Sequence, residues 1–258
     1  MKIQYASDFH LEFPDNERYL LAHPLQATGD VLVLAGDIHV LDTCQLDKLP
    51  FLRWCADHYE RTLLVPGNHE YYAGHDLADT LIDWELPILP GVSMVNNRSV
   101  VLGDVELLFT TLWSRIPPQD QPLVNRCLTD CYRMVYRGER FQAHHYDEVH
   151  EQCLRWLTDA LSASTAAHRV VVTHHCPVVK EDPRYQSNGL TNAFIVPLER
   201  FIDQSGVDAW IFGHTHYNGA NGMRIGNTLM CSNQLGYVKD GIERGFNPEA
   251  VLDLSEKK

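Results

Sequence analysis

Arg61–Glu70 reads RTLLVPGNHE: a short apolar run with the make-up of a buried strand stops at Pro66, and the next residues present an amide, an imidazole and a carboxylate side by side. Gly-Asn is a common chain reversal, and a solvated His and Glu behind it would need no further explanation. The reading therefore depends on whether other strands end in the same way. Four more runs rich in Val, Leu and Ile close in polar clusters: KIQYASDFH from Lys2, DVLVLAGDIH from Asp30, RVVVTHH from Arg169 and VDAWIFGHTH from Val207. Their hydrophobicity is continuous rather than alternating, which predicts strands covered on both faces, as in an α/β core.

Helical periodicity fills the intervals. It is clearest from about His145 to Leu161, where Val149, Cys153, Trp156, Leu157, Ala160 and Leu161 recur at three- and four-residue spacing. Weaker patterns run from about Cys44 to Glu60, His75 to Trp84 and Val196 to Gln204. Two stretches read as hairpins instead: Val92–Trp113, with turns near Asn96-Asn97 and Gly103-Asp104, and Met223–Asn233, reversing at Gly226-Asn227. Residues 114–144 are rich in Arg, Tyr and Pro without a clean period and read as a partly helical excursion near a site. With no repeat, low-complexity tract or linker, a single domain over 1–258 is expected.

Composition excludes several classes. The 258 residues, 45% hydrophobic and 21% charged, are those of an ordinary globular protein with one sizeable core. Thirty-four acidic against 21 basic residues give a formal charge of −13, the wrong sign for gripping long nucleic acid by counterion release. No run approaches the ~20 apolar residues that span a bilayer, and charge by Asp8 leaves no room for an apolar leader, so a cytoplasmic location is expected. The seven cysteines (44, 55, 127, 131, 153, 176, 231) are odd in number and scattered, which points to neither a disulfide framework nor a thiolate zinc site.

All five buried runs end in metal-ligand residue types: Asp8 and His10, Asp37, Asn68 and His69, His174 and His175, His214 and His216. Ligand sites of open α/β sheets lie at the carboxyl ends of strands, so residues far apart in sequence converge there. One such ending is a turn; five together exceed turn chemistry, which does not call for histidine. Carboxylate, imidazole and amide oxygen without cysteine suit borderline divalent ions, Mn²⁺ or iron with Zn²⁺ also compatible, and the inventory is too large for one ion. Two ions are indicated, an arrangement suited to in-line phosphoryl displacement on a small anionic substrate.

The five blocks Asp8-Phe9-His10, Gly36-Asp37, Gly67-Asn68-His69-Glu70, His174 and Gly213-His214-Thr215-His216 resemble, in order, the motifs of the calcineurin-like metallophosphoesterases. TLWSRI from Thr111, VVTHHCP from Val171 and CSNQLGY from Cys231 resemble a bacterial group within that family. The resemblance implies two mixed sheets packed as an αββα sandwich. It implies one metal held by Asp8, His10 and His216, a second held by Asn68, His174 and His214, and Asp37 bridging them. A metal-bridging hydroxide would attack phosphorus in line, and His69 would assist the leaving group without binding metal. Spacing leaves His174 and His175 equal; the resemblance favours His174 as ligand and turns His175 toward substrate. Glu70 is expected to orient its neighbours. In some members the histidine acid pairs with an aspartate three residues after the bridging one, a position held here by Val40, so that dyad is not expected.

Tyr71, Tyr72, Trp113, Arg133, Arg184, Tyr185 and Tyr217 are the aromatic and basic residues available to a substrate, with Tyr72, Trp113 and His175 expected to line the pocket. A phosphodiester, nucleotide-like in kind, is the first expectation. Monoester or phosphoprotein hydrolysis is the alternative; a nuclease or a non-catalytic metal-binding scaffold ranks below both.

Overall fold

The computed structural model describes residues 1–42, 45–180, 188–242 and 245–254; Cys44, Arg184 and Tyr185 lie outside them. Two six-stranded mixed sheets face each other. The first contains β1 (Lys2–Ala6), β2 (Val31–Leu34), β3 (Arg61–Leu64), β4 (Trp84–Leu89), β5 (Val92–Asn96) and, at its far edge, β14 (Val251–Asp253). The second contains β6 (Arg98–Leu102), β7 (Val105–Thr110), β10 (His168–Thr173), β11 (Ala209–Phe212), β12 (Arg224–Ile225) and β13 (Thr228–Ser232). β1, β2 and β3 run parallel, as do β7, β10, β11 and β13, so the ends that carry the ligand-type residues share one edge within each set.

Alternation along each strand builds the layers. Val31, Val33 and Leu63 point inward and meet Leu107, Phe109, Val170, Val172 and Ile211 from the opposite sheet. Leu32, Leu34 and Leu64 point outward against α1 (Pro14–Ala22) and α2 (Pro50–His58) through Leu20, Phe51, Leu52 and Cys55. On the other outer face Leu108, Val171 and Trp210 pack beneath α5 (Ala143–Ala163) and α6 (Glu199–Ser205). The result is the expected αββα sandwich, with the strands covered on both faces as their continuous hydrophobicity requires.

Residues 114–144 form α3 (Gln121–Cys127), α4 (Asp130–Arg133) and a small hairpin of β8 (Val135–Tyr136) and β9 (Glu139–Arg140). Their apolar side chains build a separate core around Trp113, Phe141 and Tyr146. No helix among the described residues is long and apolar enough to cross a membrane.

Two expectations fail locally. Val92–Trp113 is not one continuous set of paired strands: β5 pairs with β4 in the first sheet, whereas β6 and β7 form a hairpin in the second. The chain changes sheets at Asn97, whose φ of 44° makes the corner, and Asn96 and Asn97 brace it by donating to the carbonyls of Thr80 and Leu81. His75–Trp84 is not a helix. Asp76 accepts from the N–H groups of Ala78, Arg137 and Gly138 and confines the segment to a short 3-10 turn, Leu77–Thr80, after which Trp84 opens the edge strand β4. A pattern spanning two turns cannot separate these outcomes.

Candidate metal centre

The loops that leave β1, β2, β3, β10 and β11 meet at one edge of the sandwich. Asp8, His10, Asp37, His174 and His175 are buried there, and Asn68, His69 and His214 nearly so. Backbone geometry sets them apart: five of the nine non-glycine residues with positive φ among the described residues are Asp8 (59°), His10 (46°), Asp37 (55°), His214 (76°) and His216 (47°). Left-handed backbone at such residues costs roughly 1–3 kcal/mol each and concentrates at functional sites. The glycines of the motifs have a steric reason. A Cβ on Gly67 would run into Asp37 Oδ1 and His174 Nε2, and one on Gly213 into Asp8 Oδ2.

Hydrogen bonds lock the loops to one another. Glu70 accepts from the backbone N–H of Asp37 (3.0 Å), Ile38 (2.8 Å) and Gly67 (2.6 Å), tying the ends of β2 and β3. Asp8 accepts from the N–H of His214 (3.0 Å), tying β1 to β11 across the two sheets.

Two separate groups of ligand-type atoms result, with a third overlapping them. In the first, Asp8, His10 and His216 offer atoms within 4.8 Å of one another; in the second, Asp37, His174 and His214 do; His10, Asp37 and His69 meet the same limit between these two. Asp37 faces both, with Oδ1 3.4 Å from His174 Nε2 and Oδ2 3.7 Å from His10 Nε2. Asn68 Oδ1 lies 3.2 Å from His174 Nε2, because its amide nitrogen donates to Asp130 (2.9 Å) and to the Tyr72 hydroxyl (3.0 Å).

The tautomers are decided by acceptors that have no proton to give. His174 Nδ1 donates to the Ala35 carbonyl (2.8 Å) and His214 Nε2 to that of Ala193 (3.3 Å). In the neutral rings, His174 Nε2 and His214 Nδ1 are then both lone pairs, yet they stand 3.0 Å apart. His10 Nε2 and His216 Nε2 approach to 2.9 Å in the first group. Lone pairs gathered with a carboxylate and an amide oxygen are the donor set of a cation, and the residues fit one in each group. In the metal-free protein a proton takes its place. Burial works against a charge on His174, but the Asp37 carboxylate overcomes it and holds the pKa near 9. Burial, with neighbouring imidazoles, pushes His214 and His175 far below the usual histidine range.

His69 stands at the open side. Its Nε2 is 3.2 Å from the Tyr237 hydroxyl and 4.0 Å from Asp37 Oδ2, and its Nδ1 is 2.6 Å from Glu12 Oε1. Burial opposes its protonation, yet Asp37 and then Glu12 raise its pKa to about 9. The rings of Tyr72, Phe13 and Tyr237 surround it.

Two expected pocket residues are elsewhere. Trp113 is 0% exposed, packed among Tyr71, Phe141, Tyr146 and His175, so it has no surface for a substrate. His175 is also 0% exposed; it lies between Trp113 and His214 with neither ring nitrogen hydrogen-bonded, behind the site rather than before it. His174 faces Ala35 and Asn68 and the next residue, His175, lies against Trp113, which the left-handed backbone at Leu112 and Trp113 places after β7. Tyr71 is buried as well, while Tyr72 is part-exposed at the rim beneath Arg133.

Three residues at the site carry no ligand motif. Glu12 follows His10 by two positions, a spacing that could have drawn attention to it. Tyr237 closes the CSNQLGY block. Asp130 has no local signal at all; it accepts from Asn68, Tyr72 and Tyr146, and only the fold brings these together.

A divalent-metal donor set at the strand ends of an αββα sandwich is the ground plan of a metallophosphoesterase. The sequence pattern of the calcineurin-like phosphoesterases matches residues 1–218, and the chain belongs to that family of phosphoester hydrolases. Protein L509 of Acanthamoeba polyphaga mimivirus is 25% identical over 98% of this chain and 97% of its own length. Among solved structures, the phosphopantetheinyl hydrolase PptH of Mycobacterium tuberculosis superposes with a TM-score of 0.65 at 13% identity, covering 93% of this chain and 90% of that one. TT1561 of Thermus thermophilus gives 0.52 at 13%, covering 93% and 91%. These likenesses show the fold.

Proposed function

We propose that the protein is a two-metal phosphoesterase that cleaves a phosphodiester, with Asp8, His10 and His216 holding one ion, Asn68, His174 and His214 the other, and Asp37 shared. The observation that carries this reading is the pair of facing imidazole lone pairs, His174 and His214, fixed by backbone acceptors beside Asp37 and Asn68. Divalent ions, Mn²⁺ or iron, supply Lewis acidity toward water and the phosphate oxygens when bound.

The chain's own residues do the rest. Asp37 sits between the two groups and sets their separation. His69, whose pKa Asp37 and Glu12 raise in the metal-free protein, presents Nε2 at the open side, where it can pass a proton to a departing alkoxide oxygen. Tyr72 on one side and Phe13 with Tyr237 on the other give an organic group at each end of a diester an aromatic surface to lie on. A small, singly charged substrate also suits a chain of formal charge −13.

The test is hydrolysis of bis-p-nitrophenyl phosphate and p-nitrophenyl phosphate, side by side, by metal-stripped protein reloaded with Mn²⁺. Faster metal-dependent turnover of the diester is expected. Preference for the monoester replaces the diesterase reading by a phosphatase one, and no turnover by protein holding two metals per chain removes the catalytic reading.

A further inference from the structure

We propose that Glu12, on the loop after β1, is the positioning residue for His69. This rests on the reading of His69 as proton donor to the leaving group. Glu12 Oε1 meets His69 Nδ1 at 2.6 Å, the length of a charge-assisted bond, across 57 residues of sequence. Both side chains are largely buried, 14% and 10% exposed, so water does not compete for the contact. The bond fixes the hydrogen on Nδ1 and turns Nε2 outward to the Tyr237 hydroxyl, where a leaving oxygen would arrive.

A contribution to folding alone does not explain this carboxylate. Its second oxygen, Oε2, is buried without a hydrogen-bond partner, an arrangement that costs stability. Its other contact, His10 Nδ1 at 3.4 Å, is much longer than the one to His69. The step it serves is a simple proton transfer. As the P–O bond breaks, its electron pair passes to the leaving oxygen, which takes the proton from His69 Nε2. The imidazole is left neutral with its Nδ1 hydrogen still on Glu12, and the carboxylate stays ionised throughout.

The experiment compares bis-p-nitrophenyl phosphate with diphenyl phosphate, diesters of similar shape whose leaving groups differ in their need for a proton. For Mn²⁺-loaded Glu12→Gln we expect a loss on the order of 10²-fold in kcat for diphenyl phosphate, within the range of general-acid effects, and a small loss for the nitrophenyl diester. Two metals per chain should remain. Glu12→Asp should recover part of the rate, and Glu12→Gln added to His69→Gln should slow the enzyme no further. In metal-free protein, the His69 Nδ1–H resonance should move upfield in Glu12→Gln.

Equal losses on both diesters, loss of a metal from Glu12→Gln, or additive effects in the double variant would each overturn the assignment. An unmoved His69 resonance would do so independently of turnover. If the wild-type protein hydrolyses neither diester, the phosphoesterase reading fails, and the resonance still decides whether Glu12 positions His69.

Discussion

The two halves of the proposed metal centre are held in different ways. His174 and His214 are anchored by backbone carbonyls, Ala35 and Ala193, and are walled by Phe194, whose ring stacks on His214. His10 Nδ1 makes a long 3.4 Å contact with the Glu12 carboxylate, while His216 keeps 22% of its side chain exposed and lies against Tyr237. Backbone anchors move only with the sheets; side-chain anchors can change rotamer. The comparison teaches that one half of the proposed site is pinned to backbone of the sandwich, whereas the other, with Asp8 and His10 just as buried, opens to the rim at His216.

The largest effect should come from the residue that joins the halves. Asp37→Asn is expected to lose both metals and on the order of 10³-fold or more in kcat/KM, beyond the roughly 10–100-fold typical of outer contacts. Retention of two metals and full activity would break the shared-ligand assignment. Chelation should then separate the halves: a limiting amount of EDTA should leave about one tightly held metal per chain, and that metal should survive in His216→Ala but not in His174→Ala. Simultaneous loss of both ions would show that the difference in anchoring has no energetic weight.

Asp130 sharpens the comparison from outside the strands. Asp130→Asn frees the Asn68 amide to flip and should cost about 10–100-fold in affinity for the buried metal while sparing the other. pH should act through His174 in this half and through His69 beside the other. His174 and His69 are both raised from the ordinary 6.5 to about 9 in the metal-free protein. The stability they contribute is complete below 6.5 and lost as pH climbs through 9, so the Tm of metal-free protein should fall over that window. Metal affinity should rise over the same window as His174 gives up its proton, and isothermal titration at several pH values measures this. The smallest effect is expected at Trp113, which packs and does not bind: Trp113→Phe should cost about 1–2 kcal/mol in denaturant unfolding and leave KM unchanged.

Much of this is legible in the amino-acid sequence. RTLLVPGNHE and its four counterparts identify buried strands because Val and Leu runs are local facts, and each ends in Gly or polar residues that cannot continue a sheet. The motif glycines are local facts too, required by the close approach that Gly67 and Gly213 permit. The β4 edge strand was not legible, since Pro87 and mixed polarity blur its period and Asp76 closes the preceding turn from a distance. The sheet change at Asn97 was hidden because a corner between sheets and a hairpin turn use the same residues.

Sequence alone therefore determined the five buried strands, the ligand-type residues at their ends and the class of chemistry such residues can support, because each depends on residue types a few positions apart. Tertiary structure alone decided that Glu12, not a residue after Asp37, meets His69, that Asp130 orients Asn68 across 62 residues, and that Trp113 and His175 lie behind the site. Such contacts are made through space by side chains whose approach is set by the packing of two sheets, and no local pattern encodes that distance.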